Sequence, residues 1–178
     1  MNNPQESLDR SKSNDYRTIE QTMEKLSGGT RRLAAQLTTS ASFDSLWNVL
    51  TDYDRLNLYI PNLLSSKKIY QKNNNVHLKQ VGAQDFLGMK FSAEVTIDLF
   101  EDKELGLLKF SLIKGDFRKF EGSWKIQNIK DTSKNSLIYD LTVQGCQWMP
   151  IGMIEKRLKK DLSENLIAVD RQAKLSIN

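Results

Sequence analysis

The sequence holds one cysteine, Cys146, and one histidine, His77, among its 178 residues. A single thiol excludes an internal disulfide framework, and a single imidazole excludes a histidine-rich metal site. No apolar run approaches the roughly 18 residues that a membrane-spanning helix needs. No internal repeat or low-complexity tract is present. Gly28-Gly29 is no phosphate loop, because neither a following Lys-Ser/Thr nor a βαβ context accompanies it. The N-terminus is polar and carries both charge signs, unlike a secretory signal or an acidic-poor transit peptide. The expected compartment is therefore a reducing cytoplasm, and no cofactor or metal is expected.

What the chain does have is an ordinary globular balance, 39% hydrophobic and 27% charged residues, at a length that suits one domain and a tail. Basic residues outnumber acidic ones, 26 to 22, for a net charge of +4. That favours anionic surfaces weakly. Nucleic acid is not the expected partner, because the aromatic or glycine-rich motifs and dense basic runs of such binders are missing. Residues 1–29 are polar and poor in aliphatic side chains, so they read as a flexible arm with at most a short helix over Tyr16–Leu26. Residues 30–178 read as the folded domain.

Leu33, Ala35 and Leu37 alternate with polar or small residues, which predicts a first strand with one buried face. Ser42 is placed to cap a helix carrying Phe43, Leu46, Trp47 and Leu50, with Asp44 against its dipole. Thr51 or Asp52 then caps a second short helix that Pro61 stops. Beyond it the period becomes two. Ser65–Gln71 and Val76–Ala83 flank an asparagine turn, and Lys90–Phe100 sends Phe91, Ala93, Val95, Ile97 and Leu99 to one face. Leu108, Phe110 and Leu112, then Phe120, Gly122, Trp124 and Ile126, then Leu137, Tyr139, Leu141 and Val143 continue the meander. A terminal helix of about 22 residues starts at Pro150, with a stripe of Ile151, Ile154, Leu158, Leu162, Leu166 and Val169 and Asn165 beside it. One amphipathic helix beside one amphipathic sheet implies that the sheet wraps the helix.

Leu50-Thr51-Asp52-Tyr53-Asp54-Arg55-Leu56 with Tyr59-Ile60-Pro61-Asn62-Leu63, then Gly115-Asp116-Phe117, Phe120-Glu121-Gly122 and Trp124, then the helix from Pro150 through Asn165-Leu166 and Ala173 form three motifs in order. They resemble the polyketide cyclase/dehydrase and coenzyme Q-binding family of the START-like (SRPBCC) superfamily, over about residues 31–174. The Gly-Asp-Phe and Phe-Glu-Gly-x-Trp elements resemble a subgroup from cyanobacteria and plastids. The resemblance implies an α+β helix-grip (START/Bet v1-like) fold: a curved seven-stranded antiparallel sheet round a long C-terminal helix, with two short helices after the first strand. It also implies an apolar cavity between helix and sheet, for which quinones, isoprenoids or other lipids are the expected ligands.

For the cavity, the inward faces nominate Tyr59, Phe91, Val95, Phe110, Phe120, Trp124, Tyr139, Ile154, Leu158 and Leu162, with the Tyr139 hydroxyl or the Asn165 amide as polar anchors. Its opening is expected between the Tyr53–Leu63 segment, the Gly115 turn and the start of the last helix. Met153, Lys156 and Lys160 lie on the outer face of that helix, where they could rest on anionic headgroups in peripheral membrane contact. His77, Glu94 and Asp98 share the solvated face of the sheet rather than a catalytic cleft, and Cys146 lacks the basic neighbour of a reactive thiol. Asp52 and Asp54 are expected to cap the second helix, and Glu121 to bind backbone near the Gly115 turn.

These residues favour a non-enzymatic carrier of a hydrophobic small molecule. An aromatase/cyclase is the alternative, and it needs ionisable groups inside the cavity, whereas acids, lysines and the histidine map outward. Two ionisable side chains meeting in the cavity would tip the balance toward that enzyme. A module docking on a membrane or ribosome is the third reading, and it predicts a filled interior.

Overall fold

A computed structural model describes residues 19–86, 89–147, 149 and 151–175; the side chains of residues 84–86, 89–90, 151, 153 and 154 lie outside that set, as does Pro150. Among the described residues, eight strands form one antiparallel sheet: β1 (Ile19–Lys25), β2 (Arg31–Thr39), β3 (Leu63–Lys72), β4 (Asn75–Phe86), β5 (Met89–Asp102), β6 (Leu107–Gly115), β7 (Phe117–Asn128) and β8 (Asn135–Gly145). Their spatial order is β1-β2-β8-β7-β6-β5-β4-β3. Helix α1 (Phe43–Thr51) and a 3-10 helix (Tyr53–Leu58) connect β2 to β3, and α2 (Ile151–Leu175) is the last described element.

The eighth strand corrects the expected count of seven. Ile19–Lys25 pairs with β2 from Ile19↔Leu37 to Lys25↔Arg31, in a segment that reads as arm or short helix in sequence. The misreading has a physical source. Ile19 and Met23, the apolar residues packed on the core, are four apart, a spacing that suits a helix as well as a strand with Gln21 between them. Gly28 and Gly29 do not end a helix over Tyr16–Leu26; with Ser27 they form a single 3-10 turn, at φ 63° and 77°, that leads β1 into β2.

In β2 and β8 the period of two holds. Leu33, Ala35 and Leu37 of β2 and Leu137, Tyr139, Leu141 and Val143 of β8 are buried on the concave face. Ser42 caps α1, accepting from the Ser45 amide, with Leu46, Trp47, Val49 and Leu50 buried. The second helix is a 3-10 turn, and its expected caps act otherwise. The Asp52 side chain makes no cap bond and pairs with Arg55 at 3.3 Å, while Asp54 accepts from the Lys68 amide of β3 at 2.8 Å.

Helix α2 packs chiefly on β2, α1, β8 and β1. Its C-terminal part is gripped: Leu162, Leu166, Val169 and Ala173 are fully buried. Burying each leucine contributes roughly 1.5–3 kcal/mol. Its N-terminal part is tied by polar contacts instead. Arg31 Nε donates to Glu155 at 2.6 Å, Lys25 approaches the same carboxylate at 3.5 Å, and Gln21 Nε2 donates to the Lys159 carbonyl at 2.6 Å.

At the far end of the sheet, β6 and β7 pair only from Leu107↔Lys125 to Ser111↔Glu121. Beyond that point β6 stays with β5, up to Val95↔Gly115, and β7 stays with β8, up to Phe117↔Gly145. The Asp116 tip is held to β5, its amide donating to the Glu94 carbonyl at 2.9 Å and its carboxylate accepting from the Glu94 amide at 2.7 Å. Glu121 does not bind backbone near this turn; it pairs with Lys119 at 2.9 Å.

Gly122 lies where β7 passes close to β8 and the Phe110 ring. A Cβ there would stand 2.1 Å from the Asp140 carbonyl oxygen and 2.9 Å from Phe110 Cζ. Gly122→Ala is therefore expected to lower the unfolding free energy by about 1–3 kcal/mol in urea titrations, through forced displacement of the strand pair. The Arg31 hydrogen bond, helped by Lys25, holds the Glu155 carboxyl below its ordinary value of 4.5. Such a group stabilises the fold above that value and loses its contribution as pH falls through its folded-state value. Acidification is expected to destabilise the native protein more than Glu155→Gln, and thermal melts of the two across the carboxylate range check it.

Candidate functional site

Between α2 and the β3–β7 part of the sheet lies a hollow of about 300 Å³. The curvature of the sheet carries these strands away from a helix seated on β1, β2 and β8, so side chains from both sides fail to meet. Val95, Ile97 and Leu99 of β5 and Leu108 of β6 form one wall. Ile60, Pro61, Asn62 and Leu63 border it after the 3-10 helix, Phe117 and Phe120 border it next to the Asp116 tip, and Met149 and Leu158 border it at the start of α2.

Aromatic rings make a continuous second wall. Trp124 stacks on Tyr139 with centroids 4.0 Å apart and planes 10° from parallel. Tyr139 meets Phe110 at 6.4 Å, Phe110 meets Phe120 at 5.6 Å, and Phe120 meets Phe117 at 5.5 Å. Such offset and tilted pairs fix ring positions beyond what burial alone does. Burial, reinforced by the negative charge of Asp161, pushes the Tyr139 hydroxyl far above its usual pKa, so it stays a neutral phenol.

Most nominated lining residues come together here: Phe91, Val95, Phe110, Phe120, Trp124, Tyr139, Leu158 and Leu162 all border the hollow. Tyr59 does not. Its hydroxyl turns away to donate to the Val49 carbonyl at 2.6 Å, where burial raises its pKa, and it braces the 3-10 segment against α1. The side chains of Ile154 and Met153 lie outside the described residues. Lys156 and Lys160 are exposed, and Lys160 pairs with Glu164 at 3.6 Å.

The outward mapping of acids needs correction at Asp161, and Arg157, on the flank of the apolar stripe, joins it. Arg157 and Asp161 border the hollow, one helical turn apart, and Asn165 follows one turn later. Arg157 Nε stands 3.8 Å from Asp161 Oδ1, which also accepts from Asn62 Nδ2 at 3.3 Å. Arg157 Nε and Asn165 Oδ1 are buried without a hydrogen-bond partner. The i, i+4, i+8 spacing of these polar residues beside the leucine stripe was the available signal. A helical wheel places them at its flank; only the flare of the sheet turns that flank inward.

His77 and its neighbours form no part of this site. His77 Nε2 lies 3.4 Å from Asp98 and its ring 4.7 Å from Tyr70 on the convex face, where Lys79 also pairs with Glu94 at 3.0 Å. Cys146 is half-buried beside Val143 and Met149. Among the described residues, no group of three His, Cys, Asp or Glu side chains could hold a metal ion, and no helix is long and apolar enough to cross a membrane.

Residues 39–170 match the family described as polyketide cyclase / dehydrase and lipid transport. The chain belongs to that family. Solved structures share its fold. The Zhui aromatase/cyclase from Streptomyces sp. R1128 superposes with a TM-score of 0.69 at 15% identity, over 84% of this chain and 96% of that one. A STAR-related lipid transfer protein from Xanthomonas axonopodis gives 0.74 at 11% identity, over 89% and 94%. Human StAR-related lipid transfer protein 5 gives 0.73 at 6% identity, over 98% and 94%. At these identities the likeness is one of fold. No curated protein sequence matches the chain. This family member thus has the START/Bet v1 helix grip, with eight strands in the sheet.

Since the Tyr59 hydroxyl serves the frame and not the hollow, Tyr59→Phe is expected to lose one net hydrogen bond, about 1 kcal/mol of unfolding free energy. Urea denaturation of the two proteins measures it.

Proposed function

We propose that this family member binds and carries a hydrophobic small molecule in the hollow between α2 and the sheet. The observation that carries the proposal is the continuous ring wall from Trp124 to Phe117, facing aliphatic side chains of β5 and α2. A filled core would have served stability better, since a void forfeits dispersion contacts on every side. At about 300 Å³ the space lies at the small end of ligand pockets. It suits a ring system such as a quinone head, with an isoprenoid tail continuing through the mouth. Transfer from water supplies roughly 25 cal/mol per Å² of apolar ligand surface buried. Exchange is assigned to the opening bordered by Ile60–Leu63, Phe117 and the start of α2. Lys156 and Lys160, exposed on α2, can rest on anionic headgroups while the ligand is loaded.

A cyclase-type enzyme is the second reading, and the Arg157–Asp161 pair is what favours it. Both side chains are ionisable and border the hollow, the arrangement such chemistry needs. Against it, the Asp161 carboxylate already accepts from Asn62 and faces the Arg157 guanidinium. The pKa of Tyr139 moves away from neutrality, contrary to what a proton shuttle needs. The Arg157–Asp161 pair meets the condition set for the enzyme; the continuous ring wall, with no second such pair among the described lining residues, keeps the carrier reading first.

Organic extraction of the purified protein followed by mass spectrometry is expected to release a lipid or quinone. Ala93, which borders the hollow from β5, provides the control. Ala93→Trp is expected to fill the space and weaken quinone binding at least tenfold in a fluorescence titration, the loss of about 1.4 kcal/mol, with the fold retained by circular dichroism. Equal affinities of the two proteins would place the ligand elsewhere.

A further inference from the structure

The polar strip of α2 inside the hollow, Arg157–Asp161–Asn165, has no structural task that accounts for all its atoms. Asn62 and Arg157 hold the Asp161 carboxylate, yet Arg157 Nε lies too far from it for a hydrogen bond and is otherwise unpartnered. Asn165 Oδ1 is likewise buried and unpartnered, on the helix face whose neighbours Leu162, Leu166 and Val169 are fully buried. A buried polar atom left without a partner loses about 1–3 kcal/mol relative to water. An isosteric leucine at position 165 would extend the apolar stripe at no such penalty. Two orphaned atoms on one strip, facing a cavity roofed by a neutral phenol, imply a partner that is absent from the polypeptide itself.

We propose that this strip recognises an uncharged oxygen, a hydroxyl or a carbonyl, on an otherwise apolar ligand. The claim rests on the carrier reading and specifies the ligand class for the same hollow. The charge inventory decides between neutral and ionic ligands. Among the described residues, the lining holds one cation, Arg157, and one anion, Asp161, already facing each other. A ligand carboxylate or phosphate would bring a second anion to a site with no second cation, and its desolvation would go uncompensated. A neutral oxygen meets no such opposition. The Asn165 amide can accept from a hydroxyl through Oδ1 or, after rotation, donate to a carbonyl through Nδ2, and the neutral Tyr139 hydroxyl opposite can do either. Phenols, hydroquinones, quinones and alicyclic alcohols satisfy this chemistry; fatty acids and phospholipid headgroups do not.

Equilibrium dialysis of the full chain against naphthalene, naphthol and naphthoate tests the assignment with one ring system. Naphthol is expected to bind about fivefold tighter than naphthalene, and naphthoate more weakly than naphthol. Asn165→Leu is expected to abolish the naphthol preference while leaving naphthalene affinity the same or higher, a selectivity change that loss of structure alone does not produce. Asp161→Asn, which releases the Arg157 charge, is expected to raise naphthoate affinity about tenfold, and it serves even if Asn165→Leu fails to fold. Equal binding of naphthol and naphthalene, or a preference for naphthoate in the unmodified protein, would overturn the strip and leave hydrophobic binding intact. Failure of naphthalene itself to bind would overturn both the strip and the carrier reading.

Discussion

Everything distinctive about this domain follows from where one helix sits on one sheet. Helix α2 lies on β1, β2 and β8 and on α1, with Leu166, Val169 and Ala173 fully buried. An eight-stranded sheet has more concave surface than a single helix can cover. The uncovered part curves over a space that must be filled by side chains, by solvent or by a ligand. The residues that face it are rings locked against one another rather than chains that could collapse inward, so the space persists.

That placement depends in turn on the strand added at the sheet edge. β1 brings Gln21 and Lys25 to the N-terminal part of α2, and Arg31 completes the clamp on Glu155. The helix is thereby held at both ends by different means, by leucines toward its C-terminus and by hydrogen bonds and charge toward its start. An edge strand that pairs on only one side also leaves a row of backbone groups exposed, and Glu20, Glu24 and Lys25 on it deter pairing with another chain.

Period-two alternation in β2, β5, β6, β7 and β8 and the leucine stripe of α2 were readable from residue types, because each element has one wet and one dry face. The family motifs added the order of the parts. β1 escaped because Ile19 and Met23 satisfy two periods at once. Tyr59 was misplaced because an aromatic residue announces burial without saying which way its hydroxyl will find a partner; Val49, ten residues earlier, supplied it. Arg157 and Asp161 escaped for a different reason. Whether the flank of a helix faces water or a cavity depends on how far the opposing sheet flares, and flare is a property of eight strands together.

The parting of β6 from β7 beyond Ser111 and Glu121 gives the shell a seam. Each lip of that seam is stitched to its own outer neighbour, β6 to β5 and β7 to β8, and the Asp116 knot belongs to the β5 side. Along that seam the β5–β6 and β7–β8 ladders and the buried leucines of α2 are independent of any contact between the lips. In the carrier reading, an opening there would be mechanically uncoupled from the clamp at the opposite margin, so the barrier to swapping contents need bear no relation to the global resistance of the fold to denaturation.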